Sequence, residues 1–305
     1  MRTLLAMLSV TGCAPALRDT VSSEPARYAL AAPSPAAMHR VLGVDLFVHD
    51  SDPGATKPAL VCLHAIGQGG SDFTALSAAL PDWRVIAVDW PGHGRSGNDP
   101  EPVSAIRYTQ LLTALADALK LERVVILGNS IGGAVAIRYA AEQPRRVRAL
   151  ILANPGGLDP GASSWLGRLF IGSLVRKFEQ GARNEARFEP WFREYYAKVL
   201  LTESARAQRE RIIAAGYEHA ALLSQAWNSF RQPEASLAPL IEKVTAPVLF
   251  TWADDDGLVS WSRNEKAVRR FSRAQVVHFH AGHAAFLEDP AGFLRVVTPF
   301  LADAP

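Results

Sequence analysis

The sequence predicts an α/β chain built on a mostly parallel, doubly wound sheet, interrupted by one helical insertion. Three observations carry this expectation. Short apolar runs without alternation, the pattern of strands buried on both faces, recur from Ala59 to Trp252. Stretches with helical spacing alternate with them, at Tyr108–Leu119 and at Ile131–Gln143. Between residues 160 and 243 the strand-like runs stop, and the chain turns helical in character and rich in aromatics.

In chain order, a first strand is expected over Val41–His49, where the residues alternate. Buried strands follow at Ala59–His64 and Arg84–Asp89. The helix over Tyr108–Leu119 leads to a strand over Arg123–Leu127, and the helix over Ile131–Gln143 is stopped by Pro144. A strand over Val147–Ala153 closes the first part of the core, residues 38–159. The insertion, residues 160–243, carries among others Trp165, Phe170, Phe178, Trp191, Tyr195 and Trp227. It is expected to lie over the carboxyl edge of the sheet, where open α/β sheets bind ligands. More than half of its aromatic rings are expected only to pack it down. The core resumes over residues 244–305, with strands at Pro247–Trp252 and Gln275–His280 and a closing helix at Gly292–Leu301.

The chain has 305 residues, of which 49% are hydrophobic and 20% charged, an ordinary composition for a globular protein. A net charge of +2, with no long Lys/Arg run, argues against a nucleic-acid partner. Arg145, Arg146 and Arg148 read as a solvated turn. Cys62 sits in an apolar run and reads as a core thiol, and two cysteines make no disulfide framework.

The other cysteine, Cys13, closes a different pattern. Met1-Arg2, the apolar Leu4–Leu8 and the small residues before Cys13 have the layout of a secretory signal over residues 1–12. The tetrapeptide Val10-Thr11-Gly12-Cys13 resembles the lipobox of bacterial lipoproteins, which implies lipidation of Cys13. Residues 13–37, with Pro15, Pro25, Pro33 and Pro35, then read as a tether. The expectation is a protein held at the cell envelope by its N-terminal lipid, the apolar stretch being too short to span a bilayer. The alternative is a non-functional signal and a cytoplasmic protein.

The chemistry-bearing motif is Gly128-Asn129-Ser130-Ile131-Gly132, which follows an apolar strand directly and opens a helix. A turn this sharp needs flanking residues without bulk, which Gly128 and Gly132 supply. It would hold Ser130 out as a nucleophile, with the Ile131 N–H facing the oxyanion. The plain alternative is a serine capping a helix. A serine hydroxyl needs a base. Of the eight histidines, His283 lies just past the last strand, where a loop can bring it over the sheet edge. His278 and His280 fall in that strand and suit packing or surface roles; His39, His49 and His219 lie outside any motif. Asp254, Asp255 and Asp256 follow the resumed strand, and Asp256, before Gly257, is the expected acid; the other two read as solvated or turn-stabilising. The order Ser, Asp, His suits this kind of fold.

On these residues the chain resembles the α/β-hydrolase superfamily from Val41 to Leu301, in the branch with a helical cap between the sixth and seventh strands. Asp89-Trp-Pro-Gly-His-Gly-Arg-Ser96 is similar to a loop of that branch, and Asp256 and His283 fall on the family's acid and base positions. Leu63-His-Ala-Ile-Gly67 matches the loop that supplies the other oxyanion N–H, here that of Ile66, with Ala65 where a glycine is usual. The resemblance implies a serine hydrolase acting on a small, apolar, ester-like substrate through an acyl-enzyme, with no cofactor. A serine at the elbow does not match the dehalogenases and epoxide hydrolases, which use a carboxylate. Carbon–carbon bond hydrolysis and perhydrolysis remain alternatives. Carbon–carbon hydrolases usually carry Trp after the catalytic His and Gly-Pro-Gly in the oxyanion loop; Ala284 and Gly67-Gln-Gly-Gly70 stand there instead. A non-catalytic envelope lipoprotein on this scaffold is the reading from another class.

Gly92-His-Gly-Arg-Ser-Gly97 matches a dinucleotide fingerprint by letter only, because Pro100 and Pro102 follow where a phosphate-binding helix would open. The sequence has no His-Glu-x-x-His and no cysteine pair at metal-ligand spacing, so no metal is expected.

Overall fold

A computed structural model of the chain describes residues 36–54, 56–162 and 164–304. Its centre is one eight-stranded sheet: β1 (Ala36–Val41), β2 (Val44–Asp50), β3 (Ala59–Leu63), β4 (Arg84–Val88), β5 (Val124–Asn129), β6 (Val147–Ala153), β7 (Val248–Ala253) and β8 (Ala274–Phe279). The strand order is β1-β2-β4-β3-β5-β6-β7-β8. From β4 to β8 all neighbours are parallel; β1 and β2 are antiparallel to each other, and β2 to β4. Strands β3, β5 and β7 are buried along their whole length, as the unbroken apolar runs require.

The expected first strand, Val41–His49, is a hairpin instead. It turns at Leu42 and Gly43, whose φ angles are 48° and 82°, and Val41 faces Val44 across the turn. Two successive positive φ values make the two-residue turn whose twist suits adjoining strands. Leucine at the first of them gave no turn signal. Ala36 and Ala37, read as tether, belong to β1. Cys13, the signal over residues 1–12 and the tether up to residue 35 lie outside the described residues.

The helices are α1 (Thr74–Ala79), α2 (Ala105–Ala118), α3 (Ile131–Glu142), α4 (Trp165–Ala182), α5 (Phe188–Tyr196), α6 (Arg206–Ala214), α7 (Gly216–Ser229), α8 (Trp261–Val268), α9 (Ala285–Glu288) and α10 (Pro290–Ala302). Helix α2 packs on α3, and α1 on α10, to cover the sheet. Local chemistry sets several starts. The Ser104, Ser164 and Asp289 side chains accept backbone N–H groups at the first turns of α2, α4 and α10, and Pro290 takes the first position of α10. No described helix is long and apolar enough to cross a membrane.

Helices α4–α7 lie between β6 and β7, with α4 packed along α7. Phe178, Phe188, Trp191, Phe192 and Tyr195 form a continuous ring cluster, and Phe178 and Phe188 are fully buried. These rings hold the helices to one another. The chain passes from β3 to β4 on one side and then to β5 on the other side of β3. That reversal opens a crevice at the carboxyl ends of β3 and β5, the place where such sheets bind ligands.

Candidate active site

Ser130 stands at the carboxyl end of β5 with φ 55° and ψ −117°, a conformation that residues with a side chain rarely adopt. Two close approaches impose it. A Cβ on Gly132 would run into the Leu63 carbonyl oxygen, and one on Gly128 into the Gly132 carbonyl. The backbone of Ser130 is held on both sides: its N–H donates to Ala153 O at 3.1 Å, and its carbonyl accepts the N–H of Ala134 at 3.0 Å and of Gly156 at 2.9 Å. The structure is thus not that of a serine capping an ordinary helix start; its side chain makes no capping hydrogen bond.

His283 and Asp256 are both buried, and His283 Nδ1 lies 2.7 Å from Asp256 Oδ2. Four donors surround the carboxylate. Leu258 and Val259 N–H reach Oδ1 at 2.7 and 3.2 Å, while Asn154 Nδ2 reaches Oδ2, beside the imidazole, at 2.8 Å. Burial alone would raise the Asp256 carboxyl; the charge and hydrogen bond of His283, with the two N–H groups, hold it below its ordinary value. Burial opposes the imidazolium of His283, but Asp256, by charge and hydrogen bond, and the more distant Glu288 outweigh it and hold His283 above 6.5. The backbone of His283 is pinned as well. Its N–H donates to Val199 O at 2.6 Å, and its carbonyl accepts Asn129 Nδ2 at 2.9 Å.

The other acids and histidines of the two loops meet on the surface. His278 Nδ1 lies 2.7 Å from Asp254 Oδ1 and His280 Nδ1 4.0 Å from Asp255 Oδ2, all of them well exposed. His278 lies in β8, whereas His280 follows its end.

The N–H groups of Ile66 and Ile131 have no hydrogen-bond partner among the described residues. Residues 64–70, which carry Ile66, are fastened to residues 89–97. The Trp90 N–H donates to His64 Nε2 at 2.9 Å, Gly67 N–H to His93 Nε2 at 3.0 Å, and Gly70 N–H to Asp89 Oδ1 at 2.7 Å. Burial pushes His64 down to about 3 and His93 to about 4, so both rings are neutral at ordinary pH. Each can then accept at Nε2 while donating from Nδ1 to a carbonyl, of Ala65 at 2.7 Å and of Pro91 at 3.0 Å. The segment with the dinucleotide-like lettering is therefore internal scaffolding for this loop. Ala65 needs no glycine, because it has no positive φ; Gly67, at 84°, takes the left-handed position.

Ser130, His283, Ile66 and Ile131 line one cavity of about 600 Å³. The Ser130 hydroxyl has no hydrogen-bond partner among the described residues, so serine and imidazole share a wall without a closed hydrogen bond; such bonds commonly tighten only with substrate in place. Tyr195, Leu223, Trp227 and Phe230 of the inserted segment form much of the opposite side, and Leu166 and Phe170 of α4 reach it too. Among the described residues that line it, the one lysine or arginine is Arg263, 3.9 Å from Asp159. Among the described residues, no group of three or more His, Cys, Asp or Glu could hold a metal ion.

Sequence reading missed Asn129, Asn154 and Glu288. Glu288 is buried and accepts the N–H groups of Leu201 at 2.6 Å and Thr202 at 3.1 Å, tying the insertion to the His283 loop. Asn154 directly follows β6, so its place at a carboxyl strand end was the available signal. Glu288 offered none, since its partners in the insertion, Leu201 and Thr202, lie far off in the chain.

A family model described as alpha/beta hydrolase fold matches residues 58–290. The chain is 28% identical over 268 residues to the 2-hydroxy-6-oxononadienedioate/2-hydroxy-6-oxononatrienedioate hydrolase of Cupriavidus pinatubonensis, spanning 84% of this chain and 91% of that protein. Among solved structures, the enol-lactonase from Burkholderia xenovorans superposes with a TM-score of 0.73 at 21% identity, covering 88% of this chain and 100% of that one. An esterase from Exiguobacterium antarcticum superposes with a TM-score of 0.75 at 18% identity, covering 88% and 99%. At these identities, the two structural likenesses are of fold alone.

Proposed function

The chain belongs to the α/β-hydrolase fold family and is a hydrolase, and from that premise we propose that it cleaves carboxylic esters through an acyl-enzyme on Ser130. One observation carries the reading. A serine on a strained elbow shares a cavity with two unpartnered N–H groups and with a buried His–Asp pair. In the proposed reaction Ser130 Oγ attacks the acyl carbon while His283 Nε2 takes its proton. The tetrahedral oxyanion is stabilised by the N–H groups of Ile66 and Ile131. Collapse breaks the acyl–oxygen bond, and His283 gives its proton to the departing alcohol. A water then loses a proton to His283, attacks the acyl carbon and releases the acid, returning Ser130 to its hydroxyl form. Asp256 keeps the imidazole in the tautomer that presents Nε2 and stabilises its charged form. The mostly apolar lining supports an apolar acyl or alcohol group.

A second reading has one observation in its favour. The substrate in the name of the Cupriavidus relative carries a keto group and two carboxylates but no ester, so its hydrolysis breaks a carbon–carbon bond. Against a dianion of that kind stands the lining, whose one arginine already faces Asp159. The test is hydrolysis of p-nitrophenyl esters from acetate to decanoate. Turnover with a defined optimum of chain length is expected. No turnover of any ester, with cleavage of a 2-hydroxy-6-oxo-dienoate, would overturn the ester reading.

Anchoring at the envelope through Cys13 is part of the same proposal. Mass spectrometry of protein from its native host is expected to find a lipidated Cys13 at the N-terminus; an intact Met1 would refute it.

A further inference from the structure

The first two turns of α4 leave their large side chains bare, and burial along the helix begins only at Ile171. Trp165 is 70% exposed, Leu166 62%, Leu169 57% and Phe170 41%. Four large apolar side chains within six residues at this exposure form a contiguous patch, and such patches mark interaction sites. The helix start is firmly built, with Ser164 accepting the Gly167 N–H at 3.1 Å, so the patch is presented on a regular helix. The only charge among these six residues is Arg168, and the next turns add Arg176 and Lys177 before the first acid, Glu179. Arg231, whose guanidinium lies beside Gly172, adds a cation from the end of α7.

Apolar side chains with a tryptophan, edged by cations, match the boundary between acyl chains and anionic headgroups. The patch is also continuous with the interior. Leu166, Gly167, Phe170 and Ile171 line the cavity that holds Ser130, so the same two turns face outward and inward at once. A protein seated on this face would cover the cavity wall, whereas a lipid surface would feed it. We propose that the first two turns of α4, Trp165–Phe170, dock on an anionic lipid surface with the cavity opening toward it. Docking stands apart from the chemistry at Ser130. The corollary, that the apolar substrate enters from the lipid, rests on the ester-hydrolase reading.

The test uses the full chain and the double variant Trp165→Ser/Leu169→Ser, both produced without lipid on Cys13, so that α4 is the only membrane contact under test. Neither residue lines the cavity. Co-sedimentation is measured, without substrate, on vesicles of phosphatidylcholine alone and of phosphatidylcholine with phosphatidylglycerol. The wild type is expected to bind the phosphatidylglycerol vesicles more tightly and to lose that advantage at high salt. The double variant is expected to partition at least about tenfold more weakly, while its far-ultraviolet circular dichroism and its turnover of a soluble short-chain ester match the wild type. Equal binding of both proteins would place membrane contact elsewhere in the chain and overturn the proposal, as would no binding by either. A concentration-dependent dimer dissolved by the double substitution would assign the face to a second copy instead. If neither protein turns over an ester, the ester-hydrolase reading fails and the vesicle result still decides docking.

Discussion

Ser130→Ala is expected to lower kcat for a p-nitrophenyl ester by on the order of 10⁵-fold, because the step that forms the acyl-enzyme disappears with its nucleophile. Labelling by a fluorophosphonate should vanish with it. The fold should survive, since the hydroxyl makes no hydrogen bond among the described residues that its loss would break. A second substitution at the same place separates chemistry from strain. The backbone of Ser130 sits at φ 55° and ψ −117°, where a residue with a Cβ costs about 1–3 kcal/mol. Ser130→Gly removes that cost but adds freedom to the unfolded chain, worth roughly 0.5–1 kcal/mol in the other direction. The glycine variant should therefore be inactive yet more stable than Ser130→Ala by about 1 kcal/mol, read by denaturant unfolding. Substantial activity in Ser130→Ala would sink the proposed mechanism. A glycine variant less stable than the alanine one would show that the elbow is not strained.

Asp256→Asn is expected to cost about 10⁴-fold in kcat and to move the pH profile. All four donors around this side chain are fixed: two backbone N–H groups on Oδ1, and Asn154 Nδ2 and His283 Nδ1 on Oδ2. An asparagine must turn its NH₂ toward one of these pairs, leaving buried donors facing donors at a cost of about 2–4 kcal/mol. Turned toward the imidazole, it favours the tautomer that can no longer accept the serine proton. The proposed role of His283 fixes the sign. His283 must be neutral to act as the proposed base, so wild-type activity is expected to fall as pH drops through its pKa, which the Asp256 charge raises above its ordinary value. Removing the charge leaves burial to dominate, and the acid limb should shift downward. An unchanged acid limb in the residual activity would mean that another group governs the profile.

Much of the fold was legible because its signals are local. Strands β3, β5 and β7 are buried on both faces, so each reads as an unbroken apolar run, and Pro144 marks the end of α3 whatever packs around it. The glycines about Ser130 are legible for the same reason, since a sharp turn leaves its demand for small residues within five positions of the chain. The hairpin was not legible, because its Leu42 is not a residue that announces a turn.

Other features depend on partners far apart in the chain. Asn129 meets the His283 carbonyl across 154 positions, Asn154 meets Asp256 across 102, and Glu288 meets Leu201 across 87. His64 and His93 look alike in any sequence reading, and burial above all makes them neutral acceptors that brace the Ile66 loop. The aromatics of residues 160–243 could be counted but not sorted: Phe178 is fully buried, Tyr195 lines the cavity, and Trp165 faces outward. Residue types and their spacing thus specified the layered sheet, the elbow and the order Ser130, Asp256, His283. Which side chains hold these groups in place, and which apolar ones remain uncovered, follows from how distant segments pack, because burial and hydrogen-bond partnership exist only once the chain has closed on itself.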